Sequence, residues 1–119
     1  MKTDIADRWV AALRSGEYQQ AQEQLRIEKA GRAFSFCCLG VLCDLHSKET
    51  GTPWVDAVDE YMGEYLRLPD KVALWAGMHN EGRLAPPVNG VDRLAALNDY
   101  LGLTFAQIAD VIEAQKETL

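Results

Sequence analysis

The stretch "FCCLGVLCDLH", residues 36–46, holds all three cysteines of the chain and one of its two histidines. It decides the fold, because a metal knuckle, a reactive thiol and a buried helix would each be built differently around it. A helix turns about 100° per residue, so with Cys37 at zero Cys38 falls at about 100°, His46 at about 180° and Cys43 at about 240°. The three thiols then point to three different sides, and only Cys43 and His46 are neighbours, as an i, i+3 pair. A structural zinc needs four convergent ligands. His79 is the only other Cys or His in the chain, so a second ligand pair is missing and no metal or other cofactor is expected. What remains is a run that is apolar on nearly every side from Cys37 to Leu45, carried on to Thr50 and stopped by Gly51. Such a helix belongs in the centre of a domain, with its cysteines serving as small hydrophobes.

Upstream, the period changes from helical to alternating. In "QLRIEKAGRAFSF" (24–36), Leu25 and Ile27 alternate with charged neighbours, Lys29-Ala30-Gly31 supplies a turn, and Phe34 and Phe36 alternate again. That pattern predicts a β-hairpin with one buried face. "GEYQQAQEQL" (16–25) fits a short helix through Tyr18, Ala21 and Leu25. At the start of the chain, Thr3 or Asp4 can cap a helix whose stripe is Ile5, Ala6, Trp9, Val10 and Leu13, ended by Gly16.

Downstream, "TPWVDAVDEYMGEY" (52–65) reads either as one amphipathic turn or as an irregular acidic loop, and "YLRLP" (65–69) as a short strand. Pro69 suits the first position of a helix to Trp75, with Asp70 near its positive end and Gly77 after it. "MHNEGRLAPPVNG" (78–90) is expected to be a loop from its glycines and Pro86-Pro87. A helix over 91–100 is broken by Gly102, and Thr104 with Gln107 forms a capping box opening a last helix with Phe105, Ile108, Ala109 and Ile112 inside. The expected architecture is one compact α+β domain over residues 1–119, with a β-hairpin packed on a buried central helix and a C-terminal helical hairpin.

Composition narrows the function. The chain has 119 residues, 48% of them hydrophobic and 25% charged, which is ordinary for a globular domain. No stretch approaches the roughly 20 apolar residues of a membrane span. Asp4 and Asp7 interrupt the N-terminus where a signal peptide needs an apolar run, so a cytoplasmic protein with reduced thiols is expected. The net charge is −6. Residues 37–66 carry Lys48 against Asp44, Glu49, Asp56, Asp59, Glu60 and Glu64, and no segment offers the basic face that a phosphate backbone requires. Neither nucleic acid nor membrane is an expected partner. The two C-terminal helices have the outline of a helix-turn-helix, but Asp110, Glu113 and Glu117 against Lys116 would repel phosphate.

Two chemical alternatives stand beside the buried-helix interpretation. Cys37 or Cys38, at a helix start where the dipole lowers a thiol pKa, could be a nucleophile with His79 as its base. Asn98-Asp99 could be catalytic, although hydrogen bonding at a helix end explains the pair as well. The acidic segment is the candidate partner surface. Trp54, Asp56, Asp59, Glu60, Tyr61 and Glu64 place aromatics beside charges, as interface centres and rims do, while Trp54 and Tyr61 could equally pin the loop to the core. Asp59 and Glu60 are expected to be replaceable without loss of folding.

Four stretches, "WVAALRSGEYQQ" (9–20), "FCCLGVLCDL" (36–45), "LPDKVALWAG" (68–77) and "LAALNDYLGLTFAQIADVIE" (94–113), together resemble a family of small uncharacterised bacteriophage and prophage proteins. The resemblance implies a compact α+β accessory protein acting in the bacterial cytoplasm and carries over no functional residue. His46 departs from the pattern, which has a small or apolar residue there. The function expected from these features is a non-enzymatic protein-binding factor that modulates a host enzyme or defence system. The alternative is a small cysteine-dependent hydrolase or transferase using Cys37 or Cys38 with His79.

Overall fold

The computed structural model describes residues 1–29, 33–79 and 82–119. Its centre is the helix Cys38–Thr50 (α2), preceded in the chain by α1 (Thr3–Arg14), β1 (Gln19–Gln20), β2 (Arg26–Lys29) and β3 (Ala33–Phe36). Residues 38–43 of α2 are all buried. Cys37 is the N-cap, its sulfur accepting from the Gly40 amide, and Gly51 closes the helix in the left-handed conformation, as a C-terminal glycine does at no steric cost. Each fully buried aliphatic side chain on this helix contributes about 1.5–3 kcal/mol of transfer free energy.

The hairpin expected ahead of α2 is present. β2 and β3 pair antiparallel in the register Arg26–Phe36, Ile27–Ser35, Glu28–Phe34 and Lys29–Ala33. Its proposed turn at Lys29-Ala30-Gly31 lies outside the described residues beyond Lys29. The faces are not those that alternation implied. Arg26 is buried while Ile27 is only partly so, because the register sets Arg26 on the same face as Phe34 and Phe36, under the 52–66 segment. Residues 16–25 form no helix. Gln19 and Gln20 extend the sheet as β1, parallel to β3, in the order β1-β3-β2.

α1 starts on Lys2, not on a Thr3 or Asp4 side-chain cap. The Lys2 amide donates to the Ala76 carbonyl at 2.8 Å, so a tertiary contact sets the first turn. After α2 the chain passes through turns with isolated bridges Val55–Glu60 and Tyr61–Glu64, and "YLRLP" forms bends where a strand was expected. The helix α3 (Asp70–Ala76) follows, with Pro69 before it and Gly77 after it.

The proline-rich segment corrects the sequence expectation most clearly. Arg83–Val88 is a strand (β4) paired antiparallel with Val91–Arg93 (β5). Asn89 and Gly90 both have positive φ, 49° and 78°, which is the backbone of the two-residue hairpin turn that Asn-Gly favours. A register irregularity between Arg83 and Val88 accommodates Pro86 and Pro87, which have no amide to donate. β5 takes the residues assigned to the start of the next helix, so α4 runs only Leu94–Asp99. The last helix, α5 (Phe105–Gln115), opens on the expected Thr104–Gln107 capping box.

α5 packs against both α4 and α1. The α1–α5 pair is rimmed by Arg14 to Asp110 and Glu113, at 2.7 and 2.8 Å, and by Lys116 to Asp7 at 2.9 Å. The molecule is an α+β domain with α2 inside. Among the described residues no helix is long and apolar enough to cross a membrane.

Candidate functional site

The acidic segment is held by a residue that sequence reasoning passed over. Arg26 reaches from β2 into it, placing Nη2 at 2.9 Å from Asp56 and 2.8 Å from Asp59. Its guanidinium carbon lies 3.9 Å from the Phe34 ring centre and 4.6 Å from that of Trp54. A planar, weakly hydrated cation suits such a slot, pairing at its edge and stacking on its faces. Asp59 sits at φ 51°, a left-handed conformation that an aspartate tolerates better than most residues.

The neighbouring aromatics continue the attachment. Trp54 donates its indole N–H to Asp44 at 3.1 Å and packs against Phe36 and Tyr61. Tyr61 is fully buried, with its hydroxyl 2.6 Å from His46 Nδ1. Edge-on against His46 lies Trp75 of α3, whose indole bonds Glu49. Burial lowers the His46 pKa, opposed by the nearby Glu49 charge, so the ring is held towards its neutral form.

The six candidate surface residues therefore divide. Trp54, Tyr61 and Asp59 are turned inwards and anchor the segment. Asp56 stays open to solvent while touching Arg26, its side chain 81% exposed against 17% for Asp59. Glu60 and Glu64 are half-buried. Replacing Asp59 would strip a partner from a buried guanidinium, so a loss of stability is expected where the sequence alone implied none. Within this segment Val55, Val58, Tyr65 and Leu66, none of them among the six, are the large apolar side chains that face outwards, while Leu74, Tyr100 and Leu101 are exposed singly or in pairs elsewhere.

The thiols are in the core. Cys37, Cys38 and Cys43 are all buried, and burial pushes the Cys37 thiol up to about 11, against the smaller opposing effect of the Gly40 and Leu39 amides. Cys38 and Cys43 are raised well above the usual thiol value by the same cause. The helix dipole invoked to activate Cys37 is outweighed by the loss of water. Cys38 bonds the Leu94 carbonyl at 3.7 Å, and His79 is on the surface, so among the described residues no hydrogen bond joins it to any of the three buried thiols. Iodoacetamide at neutral pH is expected to leave the native protein unmodified and to label three thiols per chain after denaturation. Stoichiometric modification of one cysteine in the native state would restore the thiol-enzyme alternative.

Asn98 is likewise structural. Fully buried, it donates to the Ala21 carbonyl at 2.8 Å and accepts from Gln20 at 2.9 Å, while Asp99 accepts from the Glu23 amide. These bonds fasten β1 and the segment after it to the end of α4. Among the described residues, no three His, Cys, Asp or Glu side chains are grouped to hold a metal ion.

An α+β domain with a buried central helix and a clamped acidic segment is thus the class this structure defines. Residues 1–116 match the family model described as a domain of unknown function, DUF8296, and the chain belongs to that family. No curated protein and no solved structure matches it.

Proposed function

We propose that this DUF8296 chain is a non-enzymatic accessory factor of the bacteriophage type, acting in the bacterial cytoplasm by binding a host protein and modulating it. One observation carries the proposal. Val55, Val58, Tyr65 and Leu66 are 47%, 56%, 49% and 46% exposed, and all four belong to one segment that Arg26, Trp54 and Tyr61 hold against the core. Single exposed apolar residues need no explanation, but a concentration of them marks an interaction surface. Because the segment is already anchored, a partner meets a formed surface, and little ordering entropy is lost on contact.

The test is affinity capture from bacterial lysate with wild-type protein and with a Val58→Asp/Tyr65→Asp variant, both verified as folded by circular dichroism. Exposed substitutions of this kind usually move stability by no more than about 0.5 kcal/mol. Wild type is expected to retain one reproducible protein that the variant loses. Equal capture by both, or no reproducible partner for the wild type, would overturn the proposal.

A further inference from the structure

Beside the exposed segment lies a recess of about 130 Å³ between α2, the chain leading into α3, and the β5–α4 junction. Leu39, Leu66, Leu68, Ala73 and Ala95 give it an apolar lining. Its volume is close to the roughly 150 Å³ of an engineered apolar cavity that accepts benzene, so it admits one side chain of leucine size. Three charged residues also line it, Arg67, Arg93 and Asp70.

The two arginines are unusual for this molecule. The other arginines among the described residues (Arg8, Arg14, Arg26 and Arg83) each hold a carboxylate within 4 Å. Arg67 and Arg93 are exposed and have no ion pair among the described residues, Asp70 included. In a chain of net charge −6, two guanidiniums without an ion pair among the described residues, from different elements, converge on one apolar recess. Meanwhile the acids of the neighbouring segment are partly neutralised from within by Arg26.

We infer that this recess takes a leucine-size side chain of a partner protein, flanked in the partner's sequence by acidic residues that the two arginines grip. The partner contact is therefore anionic, the reverse of what the acidic sequence of residues 37–66 implies. The inference deepens the proposed protein-binding function and rests on it, since Leu66 belongs to both the recess and the exposed segment. Arg67 and Arg93 select for carboxylates, and the apolar lining sets the register of the bound segment.

The probe is a capped synthetic peptide, Glu-Asp-Leu-Asp-Glu, titrated into ¹⁵N-labelled protein and followed by amide chemical shifts. Saturable shifts are expected at residues 66–73 and 93–95. They should shrink at least about tenfold in apparent affinity in Arg67→Glu/Arg93→Glu, a change worth about 1.4 kcal/mol. Equal binding of Glu-Asp-Ala-Asp-Glu would show charge attraction without a pocket, and equal binding of Lys-Lys-Leu-Lys-Lys would remove the role of the arginines. N-acetylleucine binding as tightly as the peptide would point to a small carboxylate ligand; each of these outcomes overturns the inference. Capture from lysate separates it from the broader proposal. A partner kept by the Arg67→Glu/Arg93→Glu variant but lost by Val58→Asp/Tyr65→Asp refutes the recess alone. No partner for the wild type refutes the function, while the peptide titration still reads the recess.

Discussion

Gly40→Ala is expected to cost about 3 kcal/mol or more, beyond the usual range for an added methyl in a packed core, and to lower the melting temperature by roughly 10 °C or more. The sign is the informative part. Gly40 lies inside a helix, where alanine is ordinarily better by about 0.5–1 kcal/mol. Here a Cβ would fall 1.7 Å from the Leu25 carbonyl oxygen and 2.6 Å from its carbon. Those are backbone atoms, so no side chain can swing aside, and α2 would have to lift away from the chain entering β2. The lost packing along the helix then exceeds the gain in propensity. Thermal denaturation followed by circular dichroism decides it. A variant as stable as wild type, or more so, would mean that α2 does not approach the Leu25 backbone closely enough to exclude a methyl group.

Arg26→Met is expected to cost about 2–4 kcal/mol, somewhat under the about 3–5 kcal/mol typical of breaking a fully buried pair, because Asp56 can turn to water. Methionine keeps the length and some contact with Phe34 and Trp54, so the loss comes chiefly from the unpaired Asp59 and the missing cation between two rings. The damage should be local. Amide exchange is expected to quicken across residues 54–60 while α2 remains protected, since Tyr61 and His46 still tether the far end. Arg26→Met/Asp59→Asn should recover part of the stability, as residues that share one interaction do not add independently. Unchanged stability and exchange in Arg26→Met would remove the clamp as the support of the outward-facing surface.

What the sequence revealed and what it hid have physical explanations. Residues 36–51 were legible because an apolar run of helical length followed by glycine has few other solutions, and Thr104–Gln107 because a capping box is a local hydrogen-bond unit. Gln19 and Gln20 were not legible. Two polar residues carry no periodic signal, and their strand exists only through pairing with β3. The second hairpin was hidden because Pro86 and Pro87 have no amide to donate and are rare inside strands, although Asn89-Gly90 immediately after is a hairpin-turn pair. Arg26 was assigned outwards because alternation puts charge in water, and only the register with Phe36 and the reach of Asp56 and Asp59 turn it inwards. The same event reshaped the candidate surface. Trp54 and Tyr61 serve as anchors, and the outward apolar residues Val58 and Leu66 raised no signal of their own amid acidic neighbours.

The pairing of α1 with α5 has a consequence for synthesis. Arg14 and Asp110 are 96 positions apart, and a ribosome adds about 5–20 residues per second, so roughly 5–20 s separate their emergence. Throughout that interval α1, a 12-residue helix of a length that is marginal in water by itself, can pack only on its α2 side, where Trp9 donates to the Cys38 carbonyl, and lacks the cover that α5 supplies. The β2–β3 hairpin and α2 are made of near neighbours and can assemble during elongation, but closure of the domain waits for its final helix. Ribosome-bound chains arrested before residue 104 should therefore be cut readily by protease within α1 and be held by chaperones that grip apolar segments. The domain's earliest-made helix is thus among the last to be fully sheltered.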